Sequence, residues 1–301
     1  AIVMPGQPQT VSDTPATVVR EGALPSTVSA YLAGGYVDGS SRPMPGTILG
    51  GGRDKFDGFF IAGGLEAQVT DTAVLGFGLS YTDLDADRRL GRKTDGKLIL
   101  GTLYGRLGED FGAALDTQFS AGVYESRTHR TGTFAGTPFD LRGRDNSFAL
   151  STELGASYAF GSDALRIAPR AAVRASRIEY TPLVETGTGP ALAIAKDDFL
   201  SVQGRAGLQL DGNRAGFRPV ASAYFVHDFK DRPDVFFAGL AGGTGIQAPF
   251  LVAGQDRNWG ELSAGLAYGT ERFEFSVALD GTVGREDVRN RSYRAGVTVR
   301  F

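Results

Sequence analysis

Apolar and polar residues alternate one by one along most of the chain, and spacing of the helical kind is scarce. Successive side chains on a β-strand point to opposite faces, so this period of two predicts strands with one apolar face. Twelve strands follow, at about residues 28–38, 56–69, 72–85, 95–108, 111–128, 146–160, 165–180, 197–210, 215–229, 258–269, 272–284 and 290–301. Residues 273–280 set Phe273, Phe275, Val277 and Leu279 against Glu274, Ser276, Ala278 and Asp280. Residues 165–174 set Leu165, Ile167, Ala171 and Val173 against Arg166, Arg170 and Arg174. The chain ends SYRAGVTVRF, with Tyr293, Ala295, Val297, Val299 and Phe301 on one face and Arg294 and Arg300 on the other. The facing of the fourth and ninth strands is ambiguous.

Several of these strands exceed the common length in globular sheets, about 3–10 residues. Tilted strands that cross a bilayer need about 9–11 residues plus protruding ends. The connections sort into two kinds. After even strands they are tight, as at Thr70-Asp71, Glu109-Asp110 and Thr270-Glu271 and in the stretches GSDA and DGNR. After odd strands most read as long loops rich in Gly, Pro and charge, such as GSSRPMPGTILGGGRDK, HRTGTFAGTPFDLRGRD, TPLVETGTGPALAIAK and residues 230–257. Short turns on one rim and long loops on the other, with an even strand count, predict an all-β fold. It is a 12-stranded antiparallel up-and-down transmembrane β-barrel of the bacterial outer membrane, of the kind found in Gram-negative cells. In such a wall the apolar faces look out to lipid and the polar faces look inward. Phe111, Tyr158, Phe160, Phe217, Tyr268, Phe273 and Phe301 lie beside the short turns, and Tyr81, Tyr180, Phe199, Phe225 and Phe229 nearer the long loops. They are expected to form two aromatic girdles.

Composition changes this picture little. No stretch approaches the roughly 20 apolar residues of a membrane helix. Cysteine is absent from the 301 residues, which fits an oxidising compartment. Net charge is −3 with no basic run, so nucleic acid is not an expected partner. The N-terminal AIVMPGQPQT has no initiator Met or signal peptide, and the chain is read as a processed piece. Polar positions expected to line the barrel interior are Glu66, Asp116, Glu153, Arg166, Arg170, Arg174, Arg205, Glu274, Asp280 and Arg294. The three arginines of residues 166–174 stand four apart on one face. They are expected to pair with interior carboxylates, since bare charges repel, and to serve wall and linker packing rather than the steering of anionic solutes.

The chain resembles the C-terminal β-domain of autotransporters, the type V secretion family. The resemblance rests on GGGRDKFDGFFIAGGLEAQVTDTAVLGFGLSYTD, LILGTLYGRLGEDFGAALDTQFSAG and LRIAPRAAVRASRIEY, and covers about residues 29–301. The terminal YRAGVTVRF is similar to the signal that outer-membrane barrels present to the barrel-assembly machinery, which singles out Tyr293, Val297, Val299 and Phe301. The resemblance implies a membrane anchor and translocator for protein transport, supporting export and surface display of an N-terminal passenger that this sequence does not include. Implied partners are that passenger, the assembly machinery, outer-membrane lipid and lipopolysaccharide. Long loops would be extracellular and both barrel ends periplasmic. Residues 28–301 would form the barrel and residues 1–27 a linker. Two readings of the linker stand. TPATVVREG carries Thr, Pro and Gly where a short helix begins and stops, so it would place two turns of helix in the lumen. Otherwise it is a Pro-containing tail without fixed structure. Some family members cut themselves at an Asn-Asn bond in the lumen; residues 1–27 contain no Asn.

Catalysis, cofactor binding and metal binding find no residues to carry them. His129 and His227 have no ligand partner at useful spacing. A 12-stranded outer-membrane phospholipase is the enzymatic alternative. It needs His and Ser two apart on a lipid-facing strand, and the positions two beyond are Thr131 and Phe229. A stand-alone outer-membrane channel is the other alternative, since twelve strands enclose more room than eight and less than sixteen.

Overall fold

A computed structural model describes residues 28–42, 53–88, 92–230, 235–242, 247–251, 256–270 and 272–301. The expected linker lies outside them. Seventeen strands are present among the described residues: β1 (Val28–Ser41), β2 (Asp54–Thr70), β3 (Ala73–Arg88), β4 (Arg92–Gly108), β5 (Gly112–Phe134), β6 (Thr137–Ser162), β7 (Leu165–Tyr180), β8 (Leu183–Val184), β9 (Thr186–Thr188), β10 (Leu192–Ile194), β11 (Asp197–Asp211), β12 (Phe217–Asp228), β13 (Val235–Leu240), β14 (Ala248–Leu251), β15 (Asn258–Gly269), β16 (Phe273–Val283) and β17 (Val288–Arg300). Twelve of them, β1–β7, β11, β12 and β15–β17, pair in chain order as one antiparallel wall. The wall closes where β17 meets β1, in register from Ser29↔Arg300 to Ser41↔Val288. Closure leaves no free edge, which a sheet in hydrocarbon requires because unpaired backbone groups there cost several kcal/mol each. Phe301 donates its backbone N–H to the Val28 carbonyl at 3.1 Å, so both ends of the barrel lie on the short-turn rim.

The two faces differ as the alternation requires. Leu65, Leu75, Leu103, Leu154, Val277 and Phe275 stand outside and are more than half exposed. So large an exposed apolar belt marks a surface that meets lipid. Tyr158, Phe160, Phe217, Tyr268, Phe273 and Phe301 are exposed near the short turns. On the other rim the ring tips of Tyr36 and Tyr81 donate to Asp57 at 3.1 Å and Asp83 at 2.8 Å. Tyr180 is not part of that girdle: it is buried on the inner face. Phe199 shares the inner parity of Ser201, Gln203 and Arg205.

The long-loop rim differs from the sequence expectation in a further respect. The stretch read as the loop HRTGTFAGTPFDLRGRD is strand: β5 and β6 run on together as a hairpin to Phe134↔Thr137. Its tip is Ala135-Gly136, with φ of 49° and 84°. Two consecutive left-handed residues match the twist of a hairpin, which is why glycine stands there; alanine pays the steric cost beside it. β3 and β4 likewise stay paired out to Arg88↔Arg92. The remaining loops also hold strands. β8, β10, β13 and β14 form a separate four-stranded sheet, and β9 pairs with β6. A partly buried ion pair ties this layer to the wall, Arg130 to Glu185 at 3.1 and 2.6 Å.

Candidate functional site: the inner wall of the barrel

Inward positions of β5, β6, β7, β11 and β15 build one connected ion network. Each of these strands contributes alternate residues, so Asp116, Glu153, Arg170, Arg174, Arg205 and Glu261 all face the same interior. Glu153 is the hub. It accepts from Arg174 at 2.7 Å, from Arg170 at 2.6 Å and from Arg205 at 3.1 Å. Arg170 also reaches Asp116, by Nε at 3.1 Å and by Nη2. Arg205 extends the network to Glu261, which holds the indole N–H of Trp259 at 3.1 Å. Three guanidinium groups thus face three carboxylates, and the balance satisfies charges that burial would otherwise penalise. Arg205 also lies over the Tyr224 ring, 4.8 Å from its centre.

Smaller pairs complete the polar interior. Arg166 grips Asp211, with Nε 2.9 Å from both carboxylate oxygens. Arg294 and Ser292 hold Asp280, the arginine by two bonds of 2.9 Å. Glu274 is buried under Arg218 and Arg300, which links β16 to β12 and to the final strand. Glu66 is buried beside the Tyr31–Tyr104 pair.

Strands β1–β4 line the interior differently. Large rings there press close against glycines of neighbouring strands. A Cβ built on Gly76 would sit 2.1 Å from the Tyr104 ring, one on Gly39 2.3 Å from Phe56, and one on Gly35 2.6 Å from Phe60. Only glycine leaves room for so close an approach. Gly64 lies under Tyr31 in the same way, whereas its neighbour Gly63 faces outward. Val37, Phe56, Phe60 and Leu84 pack together there into a buried apolar patch.

The ten polar positions picked from the alternation thus fall on inward faces. They divide among five groups: Asp116, Glu153, Arg170, Arg174 and Arg205 meet, while Arg166, Asp280 with Arg294, Glu274 and Glu66 each bind elsewhere. Sequence reasoning missed Glu261, Arg218 and Tyr224. The stretch NWGELSAG puts Glu261 in step with Trp259, and a settled parity for residues 217–228 would have found the other two. The histidines face outward: His129 meets Asp140 at 3.0 Å, and His227 meets Asn258 at 2.8 Å and packs on Phe229. Among the described residues no cluster of His, Cys, Asp or Glu could hold a metal ion.

A closed twelve-stranded wall with an apolar outside and a polar, glycine-rich inside defines an outer-membrane barrel. The autotransporter beta-domain family model matches residues 49–280, most of the chain, and the chain belongs to that family. Solved structures agree on the fold. The translocator domain of the autotransporter NalP from Neisseria meningitidis superposes with a TM-score of 0.76 at 14% identity, covering 95% of this chain and 92% of that one. The β-domain of the Bordetella autotransporter BrkA gives 0.56 at 16%, covering 91% and 99%. The transport unit of AIDA-I from Escherichia coli gives 0.57 at 14%, covering 91% and 90%. A comparison with curated protein sequences finds no match.

Proposed function

We propose that this barrel anchors and helps to export a passenger joined upstream of it, with the long-loop rim at the cell surface and both barrel ends in the periplasm. One observation carries the reading: the family match spans residues 49–280 of a wall closed by pairing β17 with β1. The first barrel residue lies on the short-turn rim beside Phe301. A chain entering there reaches the opposite rim only by crossing the barrel. Residues 1–27 are the linker left in the lumen, against the arginines and carboxylates around Glu153 and the glycine-backed rings of β1–β4. The interior residues serve as wall and linker contacts, and the chain carries out no covalent chemistry. Outward-facing Tyr293, Val297, Val299 and Phe301 are the strip read by the assembly machinery during insertion. The belt above them meets outer-membrane lipid and lipopolysaccharide.

The test is a reporter domain fused ahead of residue 1 and expressed in a Gram-negative host. Protease added to intact cells should remove the reporter while the barrel stays folded. A reporter that remains protected although the barrel inserts would overturn the translocator reading. It would favour a channel, which conductance with and without residues 1–27 would then measure.

A further inference from the structure

The hairpin of β5 and β6 is the longest in the wall, 23 and 26 residues against 11–17 in the other barrel strands. Its inner face is occupied: Leu141 and Leu183 are buried there, and Arg130 holds Glu185. Its outer face climbs out of the apolar belt in ordered steps. Val123 stands opposite Phe148, then Glu125 opposite Asn146, Arg127 opposite Arg144, and His129 opposite Arg142. Like charges directly opposite on one face repel. Arg127 and Arg144 are both 58% exposed and share a single carboxylate, Glu125, at 2.7 and 2.9 Å. Arg142 is 74% exposed, and its contact with Asp140 is 3.7 Å, with that acid also bound by His129. Asp95 lies opposite Arg127 on β4 and pairs with Lys93 at 3.3 Å.

Facing guanidinium groups with spare donors, placed two steps beyond the last apolar pair of the belt, suit an oxyanion fixed at the membrane surface. We infer that Arg127, Arg144 and Arg142 form a docking site for the phosphate groups of an outer-leaflet membrane lipid. The inference rests on the orientation proposed above, which puts this rim at the outer leaflet. Phosphate, with its several oxygens, can bridge both facing arginines, which Glu125 now bridges alone. Glu125 then competes with the lipid for the same donors.

The test uses the folded full chain in detergent, titrated with lipopolysaccharide and read by native mass spectrometry. Replacing all three arginines (R127Q, R144Q and R142Q) should weaken binding by about tenfold. Glu125→Gln should strengthen it, and phosphatase-treated lipid should bind the unaltered chain as weakly as untreated lipid binds the triple variant. The control pair R289Q and R291Q, exposed on β17 at the far side of the barrel, should leave binding unchanged. Equal binding by the triple variant, equal loss in the control pair, or indifference to phosphate would overturn the site. Heat-modifiable gel mobility of the same variants reports the barrel, and the protease assay on intact cells reports which rim faces outward. A lost site in a folded barrel is therefore distinguishable from a wrong orientation.

Discussion

The interior has two walls that solve the same problem with opposite chemistry. Along β1–β4, rings of Tyr31, Tyr104, Phe56 and Phe60 lie on glycines, and space is filled by shape. From β5 round to β15, space is filled by charge, with three arginines and three carboxylates meeting around Glu153. The first wall tolerates loss of one group as a cavity problem. The second does not, because each removed charge strands its partners in a buried setting. Loss of neutrality in the network should therefore cost more stability than loss of one ring-on-glycine contact.

The contrast can be broken at its strongest point first. Glu153→Ala leaves Arg170, Arg174 and Arg205 facing one another, each almost fully buried. The expected loss is about 3–5 kcal/mol, read as a lower urea midpoint for the shift from folded to unfolded gel mobility. A midpoint within error of the parent would mean that the network contributes nothing to the wall. Next comes the ring wall. Gly76→Ala drives a methyl group into the Tyr104 ring and should cost about 1–3 kcal/mol. In the same assay Gly76→Ala combined with Tyr104→Ala should lose less than the sum of the two single changes, and strict additivity would refute the proposed contact. The smallest effect belongs outside. Lys97 meets Asp83 at 3.7 Å with its side chain 48% exposed, so Lys97→Ala should shift stability by less than about 0.5 kcal/mol.

Much of the barrel was legible because its signal is local. Alternation within a strand needs no partner, so the twelve strands and their outward faces could be read from residues such as Phe273, Phe275, Val277 and Leu279. The Arg166, Arg170 and Arg174 spacing was likewise visible within one strand. What stayed hidden depends on register between strands. That Gly76 sits under Tyr104, or that Arg205 reaches past β12 to Glu261, follows from which residues lie level on different strands. The β5–β6 extension failed for another reason. Its Gly and Pro suggested a loop, but Pro138 lies near the tip of an antiparallel ribbon and the glycines are tolerated by a hairpin secured on its inner face. The separate four-stranded sheet was missed because β8 and β10 are only two and three residues long, too short for any period to show.

The seam between β1 and β17 joins residues about as far apart in sequence as this chain permits. Contacts of such high order form last and slowly, since nearly the whole polypeptide must be ordered before its two ends can meet. Until then the unfinished sheet carries two open edges, an invitation to pair with any neighbouring strand. A molecule built this way benefits from a host that shelters those edges and brings the ends together.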